Sequence, residues 1–370
     1  MNPGIIARFR ARLPLPESAP ALTLGEGATP LIPLKNTPVP SSISLFAKVE
    51  GANPTGSFKD RGMAVAVAAA LANGARCVIC ASTGNTSAAA AAYAARAGIP
   101  CIVILPAGKV AAGKIAQATA HGARIIQTSG NFDAAMAAVK QYADSGIAAV
   151  VNSINPMRLQ GQKTAAFEIA EALQDAPDYH ALPVGNAGNI TAYWTGYCEA
   201  AGESTAACAF CGGECSLGGA RLAAKKPVML GYQAENAAPF VCGMPAKNPE
   251  TIATAIRIGN PQSYAAAKTV LAESGGRISA VSDAQILAAQ KHLAAKEGIF
   301  CEPASAASLA GVLADIAAHK ISAPAQIVCT LTGHGLKDPD IVGAPEVCEA
   351  GAGEDAMRKV VETMLARDAR

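Results

Sequence analysis

Asn53-Pro54-Thr55-Gly56-Ser57-Phe58-Lys59-Asp60-Arg61-Gly62 is the stretch from which the rest of this chain can be read. Pro54 and Gly56 make a turn, and an alanine-rich run from Met63 to Ala72 follows, so Lys59 is placed at a helix start. Backbone N–H groups at that end favour a neutral amine over an ammonium. A lysine with a lowered pKa can form a Schiff base with a carbonyl compound. Taken alone, the stretch would also describe an exposed loop lysine, the ordinary state of the residue. Its weight comes from four other places in the chain.

Outward from this stretch, short apolar runs alternate with alanine-rich runs of helical length. Arg76–Ala81, Cys101–Pro106, Arg124–Gln127 and Ala148–Val151 read as strands, and Ser87–Arg96, Lys109–Ala120 and Phe132–Ala143 as helices. The pattern resumes with strands near Ala181–Val184, Val228–Gln233 and Gln326–Thr330 and helices near Gln162–Leu173 and Asp283–Lys296. This alternation predicts an α/β protein of parallel sheets covered on both faces, with ligands at the carboxyl ends of the strands.

At 370 residues the chain can hold two domains, and 51% hydrophobic with 16% charged residues suits buried parallel sheet. A formal charge of +2 gives no case for nucleic acid or an anionic membrane as partner. Asn73, Gly74 and Arg96 break the longest alanine-rich stretches below membrane-spanning length, and the amino terminus lacks the apolar run of a secretory signal. Eleven cysteines, with Cys77, Cys80, Cys101 and Cys329 inside apolar runs, read as free thiols of a reducing compartment, so a cytoplasmic enzyme is expected.

The second constellation, Ala81-Ser82-Thr83-Gly84-Asn85-Thr86-Ser87, joins a strand to a helix. One such residue caps a helix; here five of the six positions from Ser82 carry hydroxyls or an amide, which suits a carboxylate or other anion. The third, Pro183-Val184-Gly185-Asn186-Ala187-Gly188-Asn189-Ile190-Thr191, is a Gly/Asn turn leading into a helix from Ala192. It makes a phosphate cup without a lysine, suited to a cofactor's phosphate, although a plain strand-to-helix turn has the same look. Gly108-Lys109-Val110-Ala111-Ala112-Gly113-Lys114-Ile115 nearly matches a nucleotide P-loop, but Ile115 replaces the hydroxyl that would hold magnesium and the segment reads as helical.

The fourth constellation, Asn152-Ser153-Ile154-Asn155-Pro156-Met157-Arg158, puts an arginine suited to gripping phosphate or carboxylate just past a strand end. The fifth, Cys329-Thr330-Leu331-Thr332-Gly333-His334-Gly335-Leu336-Lys337-Asp338-Pro339, is a strand opening into a Gly-rich loop that could turn Thr332 inward, with His334 expected on the loop surface. Cys208-Ala209-Phe210-Cys211-Gly212-Gly213-Glu214-Cys215 offers a CxxC and a third cysteine, short of the four ligands a structural zinc site takes; no metal is assigned to it.

These segments together resemble the threonine synthases, fold-type II pyridoxal phosphate enzymes. The resemblance runs from Leu24-Gly25-Glu26-Gly27-Ala28-Thr29-Pro30-Leu31 to Leu336-Lys337-Asp338-Pro339, and takes in Thr251 to Gly259 and Glu302-Pro303-Ala304-Ser305-Ala306-Ala307. It implies two doubly wound, mostly parallel-sheet lobes of the tryptophan synthase β type with pyridoxal 5'-phosphate in the cleft between them. The small lobe would be residues 46–158, closing on substrate, and the large lobe 1–45 and 159–370. It implies that Lys59 carries the cofactor in Schiff-base linkage and takes the Cα proton, and that Asn85 bonds its 3'-oxygen. Gly185, Asn186, Ala187, Gly188 and Asn189 would cup its phosphate, and Thr332 would meet its ring nitrogen. Ser82, Thr83, Thr86, Asn152, Ser153 and Arg158 would hold the carboxylate and phosphate of O-phospho-L-homoserine, which γ-elimination and addition of water would turn into L-threonine. A homodimer is implied as well. The rival readings are a threonine or serine dehydratase of the same fold and a non-catalytic homologue that keeps the cofactor.

Overall fold

The computed structural model describes residues 2–82, 84–106, 112–128, 141–142, 146, 148–153, 155–208, 218–343, 347–351 and 353–368. The first four expected strands pair into one four-stranded sheet. β3 (Cys77–Ala81), β4 (Cys101–Pro106), β5 (Arg124–Thr128) and β6 (Ala148–Val150) lie in the order β5-β4-β3-β6, every pair parallel. The second sheet has the order β1-β2-β10-β7-β8-β9. Its strands are β1 (Leu31–Pro33), β2 (Ile43–Val49), β7 (Tyr179–Pro183), β8 (Val228–Ala234), β9 (Arg277–Val281) and β10 (Ala325–Leu331). Its pairs are parallel apart from the edge strand β1, which runs antiparallel to β2.

The expected β7, β8 and β10 stand within two residues of their sequence positions, while β1, β2 and β9 went unread. The reason for β2 is Lys48, a charge inside the strand that is nonetheless buried, 2% exposed, against Glu168. All seven residues of β2 pair with β10, so the boundary expected at residue 46 falls inside a strand of the larger sheet.

Among the helices, α1 (Gly4–Arg8) is followed by α2 (Lys59–Ala72), which opens on Lys59 itself, and by α3 (Asn85–Ala97). The expected helix from Lys109 is observed as α4 (Ala112–Ala120), and the one over Phe132–Ala143 lies outside the described residues apart from 141–142, which are helical. The helix expected near Gln162–Leu173 is observed as α6 (Thr164–Leu173), and a shorter helix that went unread, α5 (Pro156–Gln162), precedes it. The helix after the Gly/Asn turn, α7 (Gly188–Ala200), starts four residues before Ala192. α8 (Pro239–Cys242), α9 (Tyr264–Ser274), α10 (Asp283–Glu297) and α11 (Pro303–Ala317) complete the unit that ends at Asp338. Residues 339–370 are a separate unit holding α12 (Glu354–Asp368), which carries an i,i+4 pair between Arg358 and Glu362.

α2 is buried on nearly every side, which is why its sequence is alanine-rich rather than amphipathic. Two glycines let it meet α5 at backbone distance. A Cβ on Gly161 would fall 2.1 Å from the Arg61 carbonyl oxygen, and one on Gly62 2.8 Å from that of Arg158. This crossing brings the helix of Lys59 against the helix of Arg158. Beneath it, Arg61, Glu50, Lys48 and Glu168 form a buried cluster of two cations and two carboxylates, with Thr29 bonded into it.

Candidate active site

Four parallel strands deliver the site residues from their carboxyl ends. Ser82 follows β3, Asn152 and Ser153 follow β6, the 185–189 turn follows β7, and Thr332 follows β10. Together with Lys59, Asn85, Thr86 and Arg158 they line a single cleft of about 870 Å³, a size in the range of ligand sites. Thr83 lies outside the described residues.

Lys59 is N1 of α2, and no side chain caps that helix. Its loop is stitched to the end of β10: Phe58 N–H donates to the Thr332 carbonyl (2.9 Å), and Ser57 bridges to Gly333. The Lys59 Nζ stands 3.9 Å from the centroid of the Phe58 ring. The residue is partly exposed to the open cleft, yet desolvation by the cleft walls and then the Arg158 guanidinium lower its amine to about 7, with Glu302 opposing. Desolvation is the larger cause of the depression and the Arg158 guanidinium the next.

Arg158 is 1% exposed and has no carboxylate partner among the described residues. Its Nη1 donates to the Val151 carbonyl (3.2 Å), while Nε finds no acceptor among the described residues. Burial lowers even this guanidinium to about 10. A buried cation in this state is costly unless an anion joins it.

The 185–189 turn has the backbone of an anion cup. Ala187 sits in the left-handed region (φ 63°, ψ 2°) just before α7, so successive N–H groups converge, and no side chain caps the helix. A Cβ on Gly185 would fall 3.1 Å from the Ile256 Cα. Both polar atoms of the Asn189 side chain are buried without a partner among the described residues. The Asn186 carbonyl accepts from Ser263 N–H (3.1 Å).

The remaining residues divide by how committed they are. Asn152 accepts from Ala81 N–H (3.0 Å) and donates to the Ala81 carbonyl (2.9 Å), so most of its amide is used in holding the β3 end. Ser153 donates to Gln262 Oε1 (2.7 Å). Ser82 accepts weakly from Gly84 N–H (3.3 Å), and Ser87 donates to the Gly84 carbonyl (2.8 Å). Among the described residues, no side chain caps α3. Thr332 shares a hydrogen bond with Ser305 (3.0 Å). His334 is half-buried, accepts from Leu336 N–H (3.2 Å) and meets the Phe300 ring edge-on.

Two cleft residues went unread in the sequence. Glu302 is 4% exposed and accepts from Asn85 Nδ2 at 3.3 and 3.2 Å. It is the N-cap of α11 ahead of Pro303 but makes no cap bond, and a glutamate before a helix-opening proline was the available signal. Lys337 reaches across to Gln117 Oε1 (2.5 Å) on α4. Of the cysteine stretch, Cys208 is buried and accepts from Gln160 Nε2 (3.6 Å), while Cys211 and Cys215 lie outside the described residues.

A family model described as "Pyridoxal-phosphate dependent enzyme" matches residues 22–333. The threonine synthase of Mycobacterium tuberculosis H37Rv is 55% identical over 339 residues, covering 91% of this chain and 89% of that protein. That of Bacillus sp. ULM1 is 52% identical over 341 residues, covering 92% of each. That of Methanocaldococcus jannaschii is 49% identical over 343 residues, covering 90% and 80%. Among solved structures, the cysteine synthase of Entamoeba histolytica (TM-score 0.70, 19% identity, 88% of this chain and 90% of that one) shares the fold. So does the T.th. threonine deaminase (TM-score 0.63, 22% identity, 87% and 94%).

Proposed function

The chain belongs to the pyridoxal-phosphate dependent enzymes and, within them, to the threonine synthases, and from that premise we infer that it converts O-phospho-L-homoserine and water to L-threonine and phosphate. It is thus a carbon–oxygen lyase, and its cofactor is pyridoxal 5'-phosphate. The cleft fits that group on three counts. A lysine amine lowered to about 7 stands in it, the α7 cup is narrow at Gly185 and uncapped, and Asn189 has two buried polar atoms without partners.

When bound, the cofactor supplies an electron sink for charge developing at the substrate's α- and β-carbons. In this reading Lys59 holds the cofactor and, once the substrate amine displaces it, takes the Cα proton; an amine near 7 is matched to that work at neutral pH. Gly185, Asn186, Ala187, Gly188 and Asn189 receive the cofactor phosphate. Asn85 would donate to the 3'-oxygen and the Thr332 hydroxyl would meet the ring nitrogen; being neutral, that hydroxyl would not enforce a protonated ring. Ser82, Thr83, Thr86, Asn152, Ser153 and Arg158 hold the substrate's carboxylate and phosphate.

Of the lobe expected at residues 46–158, the part beyond β2 acts to close over substrate and keep water out until elimination is complete. The assembly is a homodimer, which sedimentation tests. The location is cytoplasmic, in keeping with the free cysteines among the described residues.

The observation that carries the phosphorylated substrate is Arg158, a buried guanidinium without a carboxylate partner among the described residues, in the same cleft as the cup. The test is to supply O-phospho-L-homoserine to the cofactor-loaded protein and follow phosphate and L-threonine together. Equal release is expected. Phosphate with 2-oxobutanoate would mean elimination without controlled water addition. Neither product, despite a visible cofactor band, would overturn the substrate assignment.

A further inference from the structure

We propose that Glu302 is the positioning residue of this cleft, fixing the amide of Asn85 and presenting a carboxylate to Lys59, so that it sets both where Asn85 points and how readily the Lys59 end of the site holds a proton. The inference rests on the reading in which Lys59 holds the cofactor.

The geometry comes first. Glu302 is buried, with its backbone held to the loop that carries Thr332: its N–H donates to the Gly333 carbonyl (3.0 Å). Its carboxylate lies so close to Gly333 that a Cβ there would fall 2.5 Å from Oε1. The side chain therefore has little room to turn. Both oxygens face the Asn85 Nδ2, which settles which end of that amide is the donor toward Glu302. The Asn85 amino group is thus engaged by the Glu302 carboxylate.

A helix N-cap position normally carries a short side chain that folds back onto the helix N–H groups. Glu302 stands at such a position and makes no cap bond; its carboxyl is directed into the cleft instead. The charged groups that face it are Lys59 from α2, and Lys337 and Asp338 from the loop after β10. Those that face Lys59 are Arg158 from α5 and Glu302. Arg158 drives the Lys59 proton off and Glu302 holds it on, so the two groups bracket the lysine electrostatically.

Burial raises the Glu302 carboxyl to about 7, against the lowering effects of Asn85 and Lys59. It and Lys59 thus titrate in the same range, and the two titrations belong to the pair rather than to either residue. As a carboxylate Glu302 favours a cation at the Lys59 end; as a neutral acid it exerts little pull there.

The test is the pH titration of the visible absorption of the cofactor-loaded full chain, wild type against Glu302→Gln, with kcat and KM measured on the same preparations. The glutamine keeps the shape and an acceptor for Asn85 but carries no charge. We expect the spectral midpoint to fall by about one unit, with the two proteins diverging only where Glu302 is ionised, and kcat to drop about tenfold or more while KM stays within about twofold. Glu302→Asp, which restores a charge, should move the midpoint back toward wild type. A Glu302→Gln protein that titrates as wild type does would overturn the proposal, as would an aspartate variant no different from the glutamine one. If Glu302→Gln does not fold, Glu302→Asp alone decides: a drawn-back carboxylate gives a smaller fall in the midpoint, and no fall overturns the idea. A wild-type protein without a cofactor band that Lys59→Ala abolishes would instead mean that the underlying reading is wrong.

Discussion

Arg61 Nη2 lies 2.7 Å from Glu168 Oε2, so the helix that opens on Lys59 is tied to α6 by an ion pair with both partners buried. Glu50 takes the Arg61 Nε at 2.8 Å, and Lys48 meets Glu168 at 2.8 Å. The cluster is charge-balanced, and each member depends on the others to remain ionised away from water. Lys59, two residues from Arg61, takes its place in the cleft from this anchoring.

Removing one member should therefore cost far more than a surface ion pair would. Arg61→Leu leaves the two carboxylates with Lys48 and the partly exposed Arg8, 3.7 Å from Glu168, and is expected to lower unfolding free energy by about 3–5 kcal/mol. Urea unfolding at neutral pH measures it; a loss below about 1 kcal/mol would show that the cluster is not a unit.

The same cluster sets an acid limit. Burial works against the Glu168 carboxylate, but Arg61 and Lys48 prevail and hold it well below the usual carboxylate range. A depressed acid contributes stability that is present above its unfolded value of about 4.3 and is lost as pH falls through its folded value. Glu168→Gln should accordingly flatten the fall in urea midpoint on the acid side, from about pH 4 downward, while lowering stability at pH 7.

Lys59 carries a prediction of opposite sign. Only its neutral amine attacks an aldehyde, so uptake of pyridoxal phosphate by the stripped full chain should rise about tenfold per pH unit below 7 and level off above it. Stopped-flow absorbance reads the rate. A curve still rising at pH 9 would return Lys59 to the behaviour of an ordinary exposed lysine, and Lys59→Ala should show no slow appearance of the visible band at any pH.

For Arg158, function and stability should separate. Arg158→Met removes a buried cation that lacks a carboxylate partner among the described residues, so the ligand-free protein is expected to match or exceed wild type in thermal midpoint. Its kcat/KM with the phosphorylated substrate should fall by about 10²-fold or more. With the cup filled by cofactor, inorganic phosphate should raise the melting temperature of wild type more than that of the variant. A variant that loses stability and keeps its activity would remove Arg158 from the substrate site.

The α2–α5 crossing can be tested directly. Gly161→Ala places a methyl group 2.1 Å from the Arg61 carbonyl oxygen, and backbone cannot give way as a side-chain tip can. A loss of about 1–3 kcal/mol is expected, with activity falling further than stability because Arg158 rides on α5. Calorimetry and steady-state rates on one preparation separate the two effects.

Much of this was written locally. The turns at Ser82, Gly185 and Thr332 each follow a short apolar run, and strand period, turn residues and helix starts are near-neighbour properties that a linear reading can see. That is why the predicted site residues, Thr83 aside as undescribed, all line one cleft. What a linear reading could not see is pairing over long separations. Lys48 is buried in β2 because Glu168, 120 residues on, pairs with it. The partner of Asn152, the Ala81 backbone, lies on another strand. The partner of Glu302, Asn85, is 217 residues away. The sequence by itself determined the sheet-and-turn grammar and the residue types of the cleft. Only the tertiary structure decided which charges are buried and which groups they face, because desolvation and Coulomb interaction depend on distance in space, which the order of residues does not encode.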